Sequence, residues 1–460
     1  MANSFGIRLR QLMNRTGVKR ETLAQAVRYD SSYISKWLSG KMLPSAKNAD
    51  KVIQELALCF SRADEEGTLA GEYGCTPEQF AARITRDLSD ARENSRTPEQ
   101  MTAEIRETAS LSDVTADIEE QLWTRRSAAA LVDLFALPHE ERLHLAGIRD
   151  GRFAHGQEER SYRIAMSMHV RDCVYDAIFL IHMLTSLSGM DFSVYRSDAA
   201  DGKLVYAFDQ MSLAAMLLPG DSHCIAYTCC TGGGELRDKI SALYTQETEL
   251  FRRTTLREMM ANGEYAQLLI SMNLRWLQGH VTECLLPPEV FRELMADYPA
   301  RDLAEPLYQL SQRVLSMPET RILLYESAVA DLVVRGEADL FNTPVRLTRA
   351  QTAACLRHLT ELAAGEGGAE LRLIDGNLND EFQYITNPCV FLSDAACCLR
   401  LENGRYRDNI LLAGDRSARE LFSGAFEATW SMRGDKVISG AETVRERLNH
   451  YLLAADLMNS

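Results

Sequence analysis

Val18–Pro44 reads VKRETLAQAVRYDSSYISKWLSGKMLP. Two short runs with helical periodicity, Arg20–Val27 and Ser31–Leu38, flank the turn Arg28-Tyr29-Asp30. Asp30 is placed to cap the second run, where Ile34, Trp37 and Leu38 recur at helical spacing. Gly40 stops that run, and Leu43-Pro44 closes the turn behind it. Two helices joined so tightly need a small residue where they touch, and Ala24 supplies it. Upstream, Ser4 caps a further helix with Ile7, Leu9 and Leu12 on its apolar face, and Gly17 ends it. Downstream, a helix from about Ser45 to Phe60 sends Val52, Ile53, Leu56 and Phe60 inward. Leu23, Ile34 and Trp37 read as core rather than as contact residues.

The charge pattern sets this segment apart. The chain carries a net charge of −15, yet residues 1–60 hold ten Lys or Arg against four Asp or Glu. That is a local balance of +6, which leaves −15 − 6 = −21 for the other 400 residues. A basic head on an acidic body is the asymmetry expected when one domain touches phosphate and the rest does something else.

From Val18 to Pro44 the sequence resembles the phage-repressor or Xre-like helix-turn-helix family. Glu21, Leu23, Ala24, Ser32, Ile34, Ser35, Trp37, Gly40 and Pro44 coincide with that family's pattern, without a gap. There are two departures: Arg28 stands at the turn position usually held by glycine, and Arg20 stands where Gln usually opens the second helix. The resemblance implies a third helix entering the major groove of duplex DNA by its N-terminal end. By position, Ser31, Ser32 and Lys36 would then face base edges with Tyr33 beside them. Arg20, Arg28 and Lys41 would bind phosphate, which fixes register without reading sequence.

A chain of 460 residues, 46% hydrophobic and 25% charged, is sized and composed for two or three soluble globular domains. The expected layout is a helix-turn-helix domain over 1–60 and a helical linker or dimerisation region over 61–155. An α/β module over 156–316 and a second α/β module over 317–460, the sensor, complete it. The fold class is thus an all-α head followed by a larger mixed α/β body, helix-rich overall. Thr-Pro-Glu at Thr76 and again at Thr97 suits helix N-termini. Asp117–Leu145 reads as one longer helix and a candidate dimer helix. Strands are expected at Ser161–Val170, Phe192–Tyr195, Leu204–Phe208, Cys224–Thr228, Arg321–Tyr325, Ala328–Val334, Leu371–Ile374, Cys389–Leu392 and Cys397–Leu401. Asp172–Ser188 and Arg349–Ala364 read as helices, and a closing helix is expected around Ala418–Trp430.

Chemistry-bearing motifs in the body are weak. Thr231-Gly232-Gly233-Gly234 follows a strand and opens a helix, but it lacks a P-loop lysine, and Glu235 would repel phosphate. His169, Arg171 and Asp176 approximate the HxK-x4-D spacing of phospholipase D-like enzymes. The lysine is replaced, no second copy exists, and the aspartate falls within an apolar helix. Asp375-Gly376-Asn377 reads as a turn, and Asn379-Asp380-Glu381 as a solvated loop. The eleven cysteines include no CxxC pair and read as small buried hydrophobes, so neither a metal nor another cofactor is expected. The longest apolar run, Cys173–Leu187, is broken by Asp176, His182, Thr185 and Ser186, so no membrane span is expected. The N-terminus lacks secretory-signal character, and a cytoplasmic location follows as the expectation. The function expected is a non-enzymatic, repressor-like transcriptional regulator, a homodimer on double-stranded DNA. Its body would dimerise or sense a small-molecule or protein effector. Two alternatives stay open: an enzyme with a DNA-targeting head, and a protein-interaction module in a signalling or toxin–antitoxin assembly.

Overall fold

The computed structural model describes residues 4–45, 47–64, 70, 76–93, 95, 103–125, 127–145, 161–186, 191–208, 211–218, 222–229, 233–244, 248–298, 301–365, 368–378, 387–400, 410–432 and 436–457. The Thr-Pro-Glu at Thr97, Thr231-Gly232, Asn379-Asp380-Glu381, Cys75 and Cys230 lie outside the described residues. The chain divides into two units, Met1–Ala128 with Leu204–Lys239 and Ala129–Lys203 with Ile240–Ser460.

The first unit begins with helices α1 (Ser4–Thr16), α2 (Arg20–Val27), α3 (Ser31–Leu38), α4 (Ala49–Ala63) and α5 (Pro77–Glu93). One apolar cluster joins them: Phe5, Leu9 and Leu12 from α1, Leu23 and Val27 from α2, Ile34 and Trp37 from α3, and Val52, Ile53, Leu56 and Phe60 from α4. Phe80, Ile84 and Leu88 of α5 complete the same core. On α1, Phe5 rather than Ile7 takes the fully buried position, and Ile7 is half-buried. Arg8 pairs with Asp87 at 2.7 Å and Arg92 donates to the Pro44 carbonyl at 3.1 Å, so α5 is stitched to α1 and to the loop after α3. Thr76 precedes Pro77 at the first helical position, and its N–H donates to the Gln79 side-chain oxygen at 3.3 Å.

The rest of this unit is β1 (Ala103–Ser110), α6 (Leu111–Thr124) and strands β5 (Lys203–Ala207), β6 (Ser212–Leu217) and β7 (His223–Cys229). Their order is β1-β7-β6-β5, with β1 and β6 both antiparallel to β7. α9 (Gly233–Tyr244) follows β7.

Asp117–Leu145 is not one helix. α6 ends at Thr124, Ser127–Val132 forms strand β2, and α7 covers only His139–Leu145. Ser-Ala-Ala-Ala-Leu-Val has strong helix propensity, but its buried run belongs to a sheet, and tertiary pairing overrides propensity.

In the second unit β3 (Ser161–Met166) runs parallel to β4 (Asp191–Arg196), joined through α8 (Cys173–Ser186), with β2 on one side and β8 (Thr248–Glu249) on the other. A larger sheet holds β9 (Phe251–Thr254), β10 (Arg275–Gln278), β11 (Arg321–Tyr325), β14 (Glu370–Ile374), β15 (Cys389–Leu392), β16 (Cys397–Arg400), β17 (Ile410–Ala413) and β18 (Val437–Ile438). Its order is β18-β14-β11-β10-β15-β16-β17-β9. Only β10, β11 and β14 are mutually parallel, linked by helical crossovers. The helices are α10 (Leu256–Ala261), α11 (Glu264–Ile270), α12 (Pro288–Leu294), α13 (Arg301–Leu315), α14 (Glu326–Arg335), α15 (Arg349–Ala363), α16 (Arg416–Trp430) and α17 (Ala441–Leu457). The hairpin β12 (Glu337–Leu340) and β13 (Thr343–Arg346) follows α14.

Strand alternation sends Trp276, Ile322 and Phe391 to the face covered by Leu356 and Leu359 of α15 and Val444 and Leu448 of α17. Leu277, Leu323 and Val390 point to the other face, against Ile178 and Ile181 of α8 and Phe422 and Phe426 of α16. This is a helix–sheet–helix sandwich around a mixed sheet, as the α/β reading expected. Gly336 ends α14 at φ +67°, where a Cβ would sit 2.7 Å from the Leu347 carbonyl oxygen, so only glycine fits. Among the described residues no helix is long and apolar enough to cross a membrane.

Candidate nucleic-acid interface

The turn between α2 and α3 is built by three residues in succession. Arg28 takes the left-handed conformation, φ 57° and ψ 42°, and its N–H donates to the Gln25 carbonyl at 3.2 Å. Tyr29 follows, donating its N–H to Ala24 at 3.0 Å. Asp30 then caps α3, its carboxylate accepting from the Ser32 N–H at 2.9 Å. The hydrogen bonds from Ser32, helped by the nearby Lys36 charge, hold that carboxyl below the usual carboxylate range.

α3 divides cleanly into two faces. Ile34 and Trp37 are buried in the head core, while Ser31, Ser32, Tyr33 and Lys36 are exposed. The Lys36 ammonium sits 5.3 Å from the centroid of the Tyr33 ring. Arg20 opens α2 on the same side, its guanidinium 3.5 Å from the Ser35 hydroxyl. Arg28 and Lys41 are exposed at the two ends of α3. All seven residues singled out from sequence therefore lie on the exposed surface of this one domain.

Sequence reasoning misses other basic residues here. Lys19 precedes α2, and Lys47 and Lys51 flank the start of α4; all three are exposed. Arg10 serves the fold instead, since its guanidinium donates to the Leu38 carbonyl at 2.9 Å and closes the C-terminal end of α3.

Residues 4–54 match the family model of a helix-turn-helix domain. The N-terminal segment is a helix-turn-helix domain. The match spans α1 to the first turn of α4, and the helix-turn-helix core continues through α5 by the packing described above. No curated protein matches the chain. Among solved structures, phosphatidylserine synthase from Haemophilus influenzae Rd KW20 is similar over 78% of this chain and 95% of that chain, at 8% identity and a TM-score of 0.25. A superposition that loose says nothing about the fold or the activity of this chain.

Beyond the helix-turn-helix domain, Asp176 and His169 of the HxK-x4-D spacing have different side-chain partners. Asp176, fully buried in α8, accepts from Arg142 Nη1 at 2.5 Å and from the backbone N–H groups of Arg171 and Asp172 at 2.9 and 3.1 Å. Arg142 in turn donates to the carbonyls of Phe135 and Leu137. Asp176 thus pins the loop before α8. His169 is exposed and lies 3.3 Å from Asp201.

A second buried polar cluster has no counterpart in the sequence reading. Arg400 holds Glu283 through two hydrogen bonds of 2.9 and 2.5 Å, Tyr265 donates to Glu283 at 2.5 Å, and the Phe341 N–H donates at 3.0 Å. Burial pushes the Glu283 carboxyl up, but the Arg400 charge and these bonds outweigh it and leave it below its ordinary value. Burial raises neighbouring Asp339 to about 6, against the pull of Arg400. Tyr265 and Arg400 stand 135 positions apart in the chain, so no local signal reveals this cluster. Six of the described cysteines, Cys224, Cys284, Cys355, Cys389, Cys397 and Cys398, are buried thiols.

Proposed function

We propose that the protein is a sequence-specific DNA-binding transcriptional regulator whose α3 reads the major groove. The observation that carries this reading is α3 itself, capped by Asp30 and anchored by Ile34 and Trp37, which presents Ser31, Ser32, Tyr33 and Lys36 on one exposed face. Lys36 is suited to the acceptors of guanine, and the serine hydroxyls pair with any base edge. Arg20, Arg28 and Lys41 flank that face and would neutralise phosphates. In full-length protein, affinity for mixed-sequence duplex should fall by orders of magnitude between about 50 and 200 mM salt. Binding indifferent to salt would contradict the reading.

An α3 of eight residues is about 12 Å long at ~1.5 Å per residue and spans only three or four base pairs. Two heads on half-sites about 34–36 Å apart supply the missing discrimination, so a homodimer belongs to the proposal. Within this reading the body has a sensing role. A cleft of about 940 Å³, lined by Arg372, Asp375, Trp430, Ser431, Thr443 and Arg447, has the size of a small-molecule site. Arg447 is held there by Glu326, and Arg372 by the Trp430 carbonyl. An effector bound in the body should change the affinity of the head for DNA. A ligand that binds while DNA affinity stays constant would sink that part.

A further inference from the structure

Tyr29 stands between the immobile core of the head and the exposed face of α3. Its ring lies 5.4 Å from Trp37, tilted by 59°, and 5.4 Å from Tyr33, edge-on at 70°. Trp37 is itself 1% exposed and packs edge-on against Phe5 at 6.4 Å, so one side of the Tyr29 ring rests on a fixed wall. The hydroxyl accepts from Asn48 Nδ2 at 3.2 Å, tying the turn to the start of α4. On its far side is Tyr33, 37% exposed, whose ring carries the Lys36 ammonium 5.3 Å from its centroid.

We propose that Tyr29 is the positioning residue of the DNA-reading face, acting through Tyr33 and Lys36. This rests on the DNA-binding reading above and adds the residue that sets its geometry. A long side chain free to rotate loses rotamer entropy when it is immobilised on a base edge. An edge-to-face contact with Tyr29 fixes the Tyr33 ring before DNA arrives, and the cation–π contact confines Lys36 over that ring. The order Trp37, Tyr29, Tyr33, Lys36 is thus a stack that carries the rigidity of the core out to the reading surface. Phosphate-binding groups such as Lys41 lie outside the stack, so base discrimination depends on Tyr29 while charge-driven binding does not.

The test is selection of full-length protein on random duplex DNA, followed by titration of the enriched site and a scrambled duplex at several salt concentrations. Tyr29→Ala should lower the ratio of specific to non-specific affinity by about tenfold, with the salt slope unchanged. Tyr29→Phe keeps the ring edge and should restore the wild-type ratio. In a Tyr33→Ala background, Tyr29→Ala should have no further effect on the ratio. If Tyr29→Ala melts the head, seen as loss of non-specific binding too, Tyr29→Leu fills the volume without the ring and should give the same tenfold loss.

Three results overturn the proposal while leaving DNA recognition standing. These are an unchanged ratio in Tyr29→Ala or Tyr29→Leu, a Tyr29→Phe as defective as Tyr29→Ala, or full additivity with Tyr33→Ala. The second would make the hydroxyl, and not the ring, the active group. A wild-type protein that enriches no site overturns the DNA-binding reading and this inference together.

Discussion

Arg142 and Asp176, 34 residues apart in the chain, meet as a buried ion pair, Nη1 2.5 Å from Oδ1, with side chains 4% and 0% exposed. The three rings of Phe135, Tyr175 and Phe179 surround the guanidinium, each centroid between 5.3 and 5.9 Å from its central carbon. Removing one partner of such a pair strands the other charge away from water. Asp176→Ala should lower unfolding stability by about 3–5 kcal/mol, measured by urea denaturation of full-length protein. DNA binding by the head, assayed well below the transition, should be unchanged. A loss below about 1 kcal/mol would mean that the pair is not buried as described.

Arg28 occupies a left-handed turn position at φ 57°, where an L-residue with a Cβ is strained. Arg28→Gly should raise the stability of the head by a fraction of ~1 kcal/mol, read from its thermal transition. If the guanidinium also contacts phosphate, the slope of log affinity against log salt should fall by about one. A destabilised Arg28→Gly would show that the side chain holds the turn together.

α5 contributes Leu88, fully buried, to the head core. Leu88→Ala should cost about 2–5 kcal/mol in the stability of the helix-turn-helix domain and shift its melting first. An unaffected head would place α5 outside the domain's cooperative unit.

His182 lies in α8, 3% exposed, and burial lowers its pKa from 6.5 to about 4. The unfolded chain therefore takes up the proton first as pH falls, and stability is lost from pH 6.5 down towards 4. Between about pH 6.5 and 5 the loss from this group should be about 2 kcal/mol, seen in denaturation midpoints of the second unit. His182→Gln should flatten that slope, whatever its absolute stability. An equal slope in wild type and variant would show that the imidazole does not titrate in that way.

The head is legible in the sequence because its signals are short-range. Asp30 as cap, Gly17 and Gly40 in left-handed turns, and Leu23, Ile34 and Trp37 as core all follow from spacing within a few residues. The contribution of α5 is not legible, since Phe80, Ile84 and Leu88 show only that a helix has an apolar face and not what it covers. In the body, Arg321–Tyr325 and Cys389–Leu392 stand where the sequence places them, whereas Ala328–Val334, β-branched and read as a strand, belongs to helix α14. Strands written in Ala, Leu and Met do not announce themselves: Ser127–Val132 reads as part of a helix, and Ser212–Leu217 gives no strand signal. Those residues favour helix locally, and only pairing within a sheet decides otherwise. α17 lies beyond the helix expected to close the chain. The Tyr265–Glu283–Asp339–Arg400 cluster is assembled from four separate elements, a juxtaposition that local sequence patterns do not encode.

The most direct test of the central claim is selection of full-length protein on a pool of random duplex DNA, with a salt titration of the enriched site. The account predicts a two-fold-symmetric site whose enrichment is lost in Lys36→Ala or Ser32→Ala, with affinity falling steeply as salt rises. No enrichment, with weak binding that ignores salt, would contradict it and make the head a protein-contact module.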